Sequence, residues 1–239
     1  MKTLSMFVVI VAASAATLFG EEEKAISAEF SAKVMSKSID DNGIPLYGGA
    51  NIDTEVTLSG GSFYASFRYV RGLDGARSPL EYQSQLESYF GWEGEISKNL
   101  TLDVGVAYYD YAPFLKDKNA NVPSVYAELK SSREGIQPFV SVESYQPSSS
   151  AYFEGGTRVL AGVRYSGAIK DVSLEHSLTG VYEDGAFGYS KAWVGIYSVD
   201  FVWGKGARTI ILPSLSVYYP FSKKDGQKTE FVVGIGVAW

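Results

Sequence analysis

The sequence predicts an all-β chain: a single transmembrane antiparallel up-and-down β-barrel of about twelve strands, within a range of roughly ten to fourteen. Three observations carry this reading. Past residue 24 the hydropathy alternates with a period of two. The connections between alternating segments are long and short in turn. Within segments, apolar and aromatic residues share one face while small and polar residues share the other.

The strand-like segments fall at 25–38, 49–59, 61–71, 80–95, 99–111, 121–132, 135–146, 155–166, 171–182, 190–203, 206–219 and 228–239. Each reaches the roughly 9–11 residues that a tilted strand needs to cross a bilayer. The connections sort into two kinds. Ser59-Gly60-Gly61, Ser97-Lys98-Asn99, Ser132-Arg133-Glu134-Gly135, Gly167-Ala168-Ile169-Lys170 and Gly204-Lys205-Gly206 are tight. Between them lie longer ones: from Asp40 to Pro45, around Gly72 to Gly75, Phe114 to Asn121, Pro147 to Phe153, Glu183 to Ala186, and Ser222 to Gln227. Short turns at one end and longer loops at the other characterise an up-and-down barrel in an outer membrane. A soluble sandwich with Greek-key crossovers has no reason to alternate in this way. An even strand count places both ends of the barrel on the short-turn, periplasmic side.

The two faces differ in chemistry. In the last segment Phe231, Val233, Ile235, Val237 and Trp239 oppose Gly234, Gly236 and Ala238. In the fifth, Leu102, Val104, Val106 and Tyr108 oppose Thr101, Asp103, Gly105 and Ala107. Apolar-out with polar-in suits a barrel in lipid, whereas a water-soluble barrel packs its apolar face inside. Aromatic residues also gather near segment ends. Trp92, Tyr165, Trp203 and Trp239 are expected at the periplasmic interface, and Tyr69, Tyr82, Tyr108, Trp193 and Tyr219 at the outer one. Tyr and Trp combine an apolar body with a polar tip, which suits the headgroup boundary.

Composition narrows the function classes. The 239 residues hold 21 basic and 27 acidic side chains, a net charge of -6, so nothing points to nucleic acid. There is no cysteine, which excludes disulfides, thiolate metal sites and cysteine nucleophiles, and one histidine, His176. At the N-terminus Lys2 precedes an apolar run from Met6 to Ala16. Ala13-Ser14-Ala15 and Gly20, ahead of Glu21-Glu22-Glu23, are candidate cleavage points. The run is too short for a membrane-spanning helix, so residues 1–20 are read as a cleaved secretory signal and 25–239 as the barrel domain.

The chain ends on an alternating strand with a terminal aromatic, Phe231 to Trp239. This resembles the terminal recognition strand of Gram-negative outer-membrane β-barrel proteins, which usually ends in Phe. The resemblance implies insertion by the barrel-assembly machinery into the outer membrane, among its lipid and lipopolysaccharide. The segment Leu102 to Tyr111, followed by Val125-Tyr126-Ala127-Glu128-Leu129, is similar to the TorF-type porins. That resemblance implies passive transport.

The charges expected to face inward are Glu29, Lys33, Asp53, Glu55, Arg68, Glu87, Asp103, Glu128, Lys130, Glu143, Arg158, Arg164, Glu175 and Asp200. Acids outnumber bases, and an acidic lumen favours cations. Two readings stand: a water-filled channel for small hydrophilic solutes or ions, or a filled, non-conducting barrel that presents its outer loops at 40–48, 113–120, 147–153 and 222–227 as a structural or adhesive surface. A third, a membrane-embedded lipid hydrolase, meets an obstacle. Outer-membrane phospholipases need an H-x-S-N-G arrangement, and here His176-Ser177 are adjacent, so they point to opposite faces of a strand. Gly204-Lys205-Gly206 precedes a strand and not a helix, so it reads as a hairpin turn and not a phosphate loop. Asp40-Asp41-Asn42-Gly43 is a turn that could also meet a divalent cation or lipopolysaccharide. No cofactor, metal or catalytic residue is expected, and nothing marks an oligomer face.

Overall fold

A computed structural model describes residues 26–39, 45–73, 84–110, 121–131, 133, 135–146, 155–170, 172–184, 191–204, 209–221 and 227–239. The expected signal, Tyr82, the Asp40-Asp41-Asn42-Gly43 turn and most of the expected outer loops lie outside these residues. Alternating β-branched, aromatic and small residues form β1 (Ser27–Met35), β4 (Asn51–Gly60), β5 (Phe63–Gly72), β6 (Ser84–Ser97), β7 (Leu100–Asp110) and β8 (Asn121–Ser131). They continue through β9 (Ile136–Tyr145), β10 (Gly156–Ile169), β11 (Val172–Glu183), β12 (Ala192–Trp203), β13 (Ile210–Pro220) and β14 (Glu230–Ala238). These twelve close into one antiparallel barrel in which each strand pairs with its neighbours in chain order.

Closure is made by β1 and β14, paired from Ser31↔Ala238 to Met35↔Gly234. The ladder runs on past the strand end. Phe30 and Trp239 exchange backbone hydrogen bonds of 3.0 and 2.9 Å, and their rings stack with centroids 6.2 Å apart. The terminal aromatic therefore fastens the seam of the barrel. Without that seam β1 and β14 would be open edges, which cannot face hydrocarbon.

The turns at Ser59-Gly60-Gly61 and Ser97-Lys98-Asn99 fall where expected, one is shifted, and Ser132, Glu134, Lys205 and Gly206 of the other two lie outside the described residues. Gly61 (φ 62) and Asn99 (φ 64) supply the left-handed backbone that a two-residue hairpin requires. The turn expected over 167–170 lies later: β10 continues to Ile169, and Lys170 takes the left-handed conformation (φ 54). Consequently Tyr165 is inside β10 and not at its end. There it pairs with His176 on β11, the rings 6.2 Å apart. A second difference lies in the first long connection. Part of it forms a small hairpin of β2 (Ser38–Ile39) and β3 (Pro45–Tyr47).

The outer surface is apolar in a way that water does not tolerate. Phe90, Val106 and Val125 form one row across β6, β7 and β8 and are 44%, 49% and 48% exposed. Leu178, Ile211, Phe231, Val233 and Ile235 are equally bare. A continuous band of this size marks contact with lipid. No described helix is long and apolar enough to cross a membrane.

Candidate functional site

Directly paired residues in a ladder point to the same face. Contacts that skip a strand identify the concave one. Tyr64 on β5 donates to Asp103 on β7 at 2.9 Å. Tyr109 on β7 donates to Glu143 on β9 at 2.6 Å. Arg164 on β10 reaches Glu128 on β8 at 2.8 and 3.1 Å. Such bridges converge only inside a closed barrel. Following the ladders from these anchors places each expected inward charge on the inner face: Asp53 opposite Lys33, Arg68 between Glu55 and Glu87, Lys130 opposite Thr101, Arg158 between Glu143 and Glu183, and Glu175 opposite Asp200. Glu29 follows from the same β1–β4 ladder, opposite Thr57. Asp103 lies between Glu93 and Glu128.

The outer half of one wall is thick. Arg68 holds Asp53 through Nε (3.1 Å) and Nη2 (2.7 Å) and reaches Glu87 at 3.3 Å through Nη1. Glu87 also accepts from Gln85 (2.7 Å) and Tyr89 (2.9 Å). Glu143 accepts from Tyr109 and Ser124, both at 2.6 Å, and from Tyr145 at 2.8 Å. Arg158 lies between Glu143 (3.7 Å) and Glu183 (3.4 Å), with its guanidinium 5.0 Å from the Tyr145 ring centre. The rings themselves form a ladder. Tyr126 stands edge-on to Tyr89, Tyr89 edge-on to Tyr109, and Tyr109 tilted against Tyr145. Tyr64 bonds Tyr126 through its hydroxyl.

Tyr89, Tyr109, Tyr126 and Tyr145 are inner-face residues that residue type hides. An aromatic residue reads as lipid-facing, yet each has the same parity as an inward polar residue on its own strand, such as Tyr145 beside Glu143. Glu93 and Glu183 were likewise absent from the expected set, although both have inward parity.

Room for these rings comes from glycine. Gly91 and Gly105 pair directly on β6 and β7 beneath Tyr64 and Tyr126. A methyl group on Gly91 would sit 2.6 Å from Tyr64 Cζ. We expect Gly91→Val to destabilise the barrel by about 1–3 kcal/mol through overpacking. The check is the urea midpoint of the folded protein in lipid vesicles, and an unchanged midpoint would contradict the packing described.

The opposite wall, from β11 round to β1, carries small polar side chains and glycines among Ile196, Leu212 and Tyr218. Ser177, Ser198 and Ser216 face inward in one row, and Ser177 and Ser198 share a hydrogen bond of 2.6 Å. Asp200, Ser214 and Gly234 form the next row, and Gly236 lies beyond it. Nearer the short-turn end, Glu55, Thr57, Ser59, Tyr64, Ser66, Glu93 and Asp103 line a cavity of about 530 Å³. Lys130 bonds Glu93 there at 2.8 Å.

The girdle aromatics separate by height. Trp203 ends β12 and Trp239 follows β14, both at the short-turn end, with Trp92 inside β6 opposite Phe63. Tyr69, Tyr108, Trp193 and Tyr219 lie towards the other end of their strands, and Trp193 and Tyr219 are more than half exposed. His176 is on the outer surface, its Nδ1 3.0 Å from the Tyr197 hydroxyl. Ser177 faces inward, so the two cannot share a hydrogen bond and form no nucleophile–base pair. Among the described residues no group of three or more His, Asp or Glu side chains is placed to hold a metal ion.

A closed up-and-down barrel with an apolar belt and a polar, charged interior defines a transmembrane β-barrel. No protein-family model matches the chain, and no curated protein matches it in sequence. Solved structures do. The chain is similar to the KdgM porin with TM-score 0.57 and 10% identity, covering 88% of this chain and 98% of that one. It is similar to the NanC porin with TM-score 0.56 and 11% identity, covering 89% and 99%. It is also similar to an outer membrane channel from Pseudomonas putida F1, with TM-score 0.50 and 12% identity, covering 92% and 98%. What the chain shares with these channels is the fold.

Proposed function

We propose that the protein is a passive channel in the outer membrane of a Gram-negative bacterium, passing small hydrophilic solutes or ions with a slight cation preference and without a catalytic site. The observation that carries this reading is the unevenness of the interior. Bulky rings and ion pairs crowd one wall, while the other sets Ser177, Ser198, Ser214, Ser216, Gly234 and Gly236 among larger side chains, Ile196, Leu212 and Tyr218. In this reading the cavity of about 530 Å³, lined from β4 to β7, forms an inner vestibule. The carboxylates of the inner face outnumber its bases, which favours cations. In this reading residues 1–20 direct export, the assembly machinery takes the Phe231 to Trp239 strand, and lipid and lipopolysaccharide surround the belt.

Planar-bilayer recording of the refolded protein tests it. We expect discrete unitary conductance that grows with salt, and a reversal potential in a KCl gradient on the cation side. Silence across voltages and salts would defeat the proposal.

The packing of Tyr109, Val122 and Tyr145 in the outer half favours a second reading, a non-conducting barrel that presents its outer loops to a surface or partner. Silence in the bilayer together with binding lost on deleting 147–153 is the result that reading expects.

A further inference from the structure

Lys33 makes a choice that its place in the ladder does not explain. On β1 it is paired with Asp53 of β4. Its ammonium goes the other way, past β14 and β13, to Asp200 Oδ1 on β12 at 3.3 Å. Asp53 is already taken, because Arg68 holds both of its oxygens. Asp200 has the opposite need. Its direct neighbour on β11 is Glu175, so two carboxylates face each other on the inner surface, an arrangement that is destabilising unless a cation intervenes.

The route between them is built for a lysine stem. Gly236 lies under it, and a methyl group there would collide with Lys33 Cγ. Gly234 and Ser214 follow, the latter paired with Asp200 itself. Lys33 and Asp200 stay partly accessible, at 29% and 35% of their side-chain surface. Lys33 is therefore a strap across the inner face of β14 and β13, with its charge still partly accessible. Among the described inner-face residues within β11–β14 and β1 it is the sole base, whereas Glu183 is paired with Arg158 of β10 and Glu230 with Lys37 and Lys228 beyond the strand ends.

We propose that Lys33 is a specificity-determining residue of the channel, whose ammonium cancels Asp200 and so limits how strongly the lumen prefers cations. This rests on the channel reading above. Released from Lys33, Asp200 and Glu175 would present two uncompensated carboxylates to the passing ion. Released from Asp200, the ammonium would turn to the lumen and draw anions.

The test is the ratio of potassium to chloride permeability, from reversal potentials in a low-salt KCl gradient, where screening is weakest. The variants are Lys33→Met, which keeps the length of the strap, Asp200→Asn, and the two together. A unit charge beside a wet path shifts the energies of cation and anion in opposite senses, which changes the ratio by about threefold to tenfold. We expect Lys33→Met to raise the ratio by that factor, Asp200→Asn to lower it by as much, and the double variant to lie near the wild type. Unchanged ratios in both single variants, with wild-type conductance intact, overturn the inference alone. A silent wild type overturns the channel reading and this inference with it.

Discussion

Replacing Arg158 by alanine is expected to cost the barrel about 3–5 kcal/mol, the penalty for stranding a buried charge whose partner is removed. Arg158 stands between two carboxylates that water barely reaches. Glu183 is 1% exposed and Glu143 is 7% exposed. Glu143 would keep its hydroxyl donors Tyr109, Ser124 and Tyr145, while Glu183 would lose the guanidinium 3.4 Å from it. The comparison is Lys130→Ala. Its partner Glu93 has 44% of its side chain exposed, and an accessible pair of this kind is worth about 1 kcal/mol or less. Urea unfolding in vesicles, followed by tryptophan fluorescence, measures both. If the two variants lose similar stability, the outer-half network is not buried in the way described. Adding Glu183→Gln to Arg158→Ala is expected to restore part of the loss, because the buried carboxylate that faced the guanidinium goes with it.

How far the fold could be read from the sequence depends on what a period of two encodes. It encodes the face, and it placed Asp103, Glu128 and Glu175 on the inner side of their strands. Turn chemistry at Ser59-Gly60-Gly61 and Lys98-Asn99 gave the ends of β4 and β6 to within a few residues. It failed where the left-handed residue was a lysine, so the end of β10 was expected near 166 and lies at Ile169. The stagger between strands is another matter. It arises from how far each hairpin slides as the barrel tilts and closes, and no local pattern records it. Hence neither the Lys33–Asp200 contact, 167 residues apart in sequence, nor the sharing of Glu143 among four elements could be foreseen. The inward tyrosines were lost for a different reason. Residue type argued for the lipid and parity argued for the lumen, and parity was right at Tyr89, Tyr109, Tyr126 and Tyr145.

Parity can be put to a direct test on the outer surface. Val106 lies near the middle of β7, 49% exposed, in a row with Phe90 and Val125. Its row holds no carboxylate to answer a cation. We expect Val106→Arg to destabilise the barrel in lipid by about 2–4 kcal/mol, the cost of a basic side chain near the bilayer midplane. Val106→Glu should cost less, since acidic substitutions on this face are milder. Val106→Leu, which changes volume and not polarity, should stay within about 1.5 kcal/mol of the wild type. The order Arg, then Glu, then Leu is specific to a lipid-facing position. A side chain buried in a protein core would penalise both charges alike, and one facing water would penalise neither. The measurement is the unfolding free energy in vesicles of two bilayer thicknesses. A thicker bilayer puts position 106 further from headgroups, so the arginine penalty should grow with thickness while the leucine value does not move. Equal penalties in the two lipids would mean that the band formed by Phe90, Val106 and Val125 is not in the membrane, and the barrel would then need another solvent for its outer face.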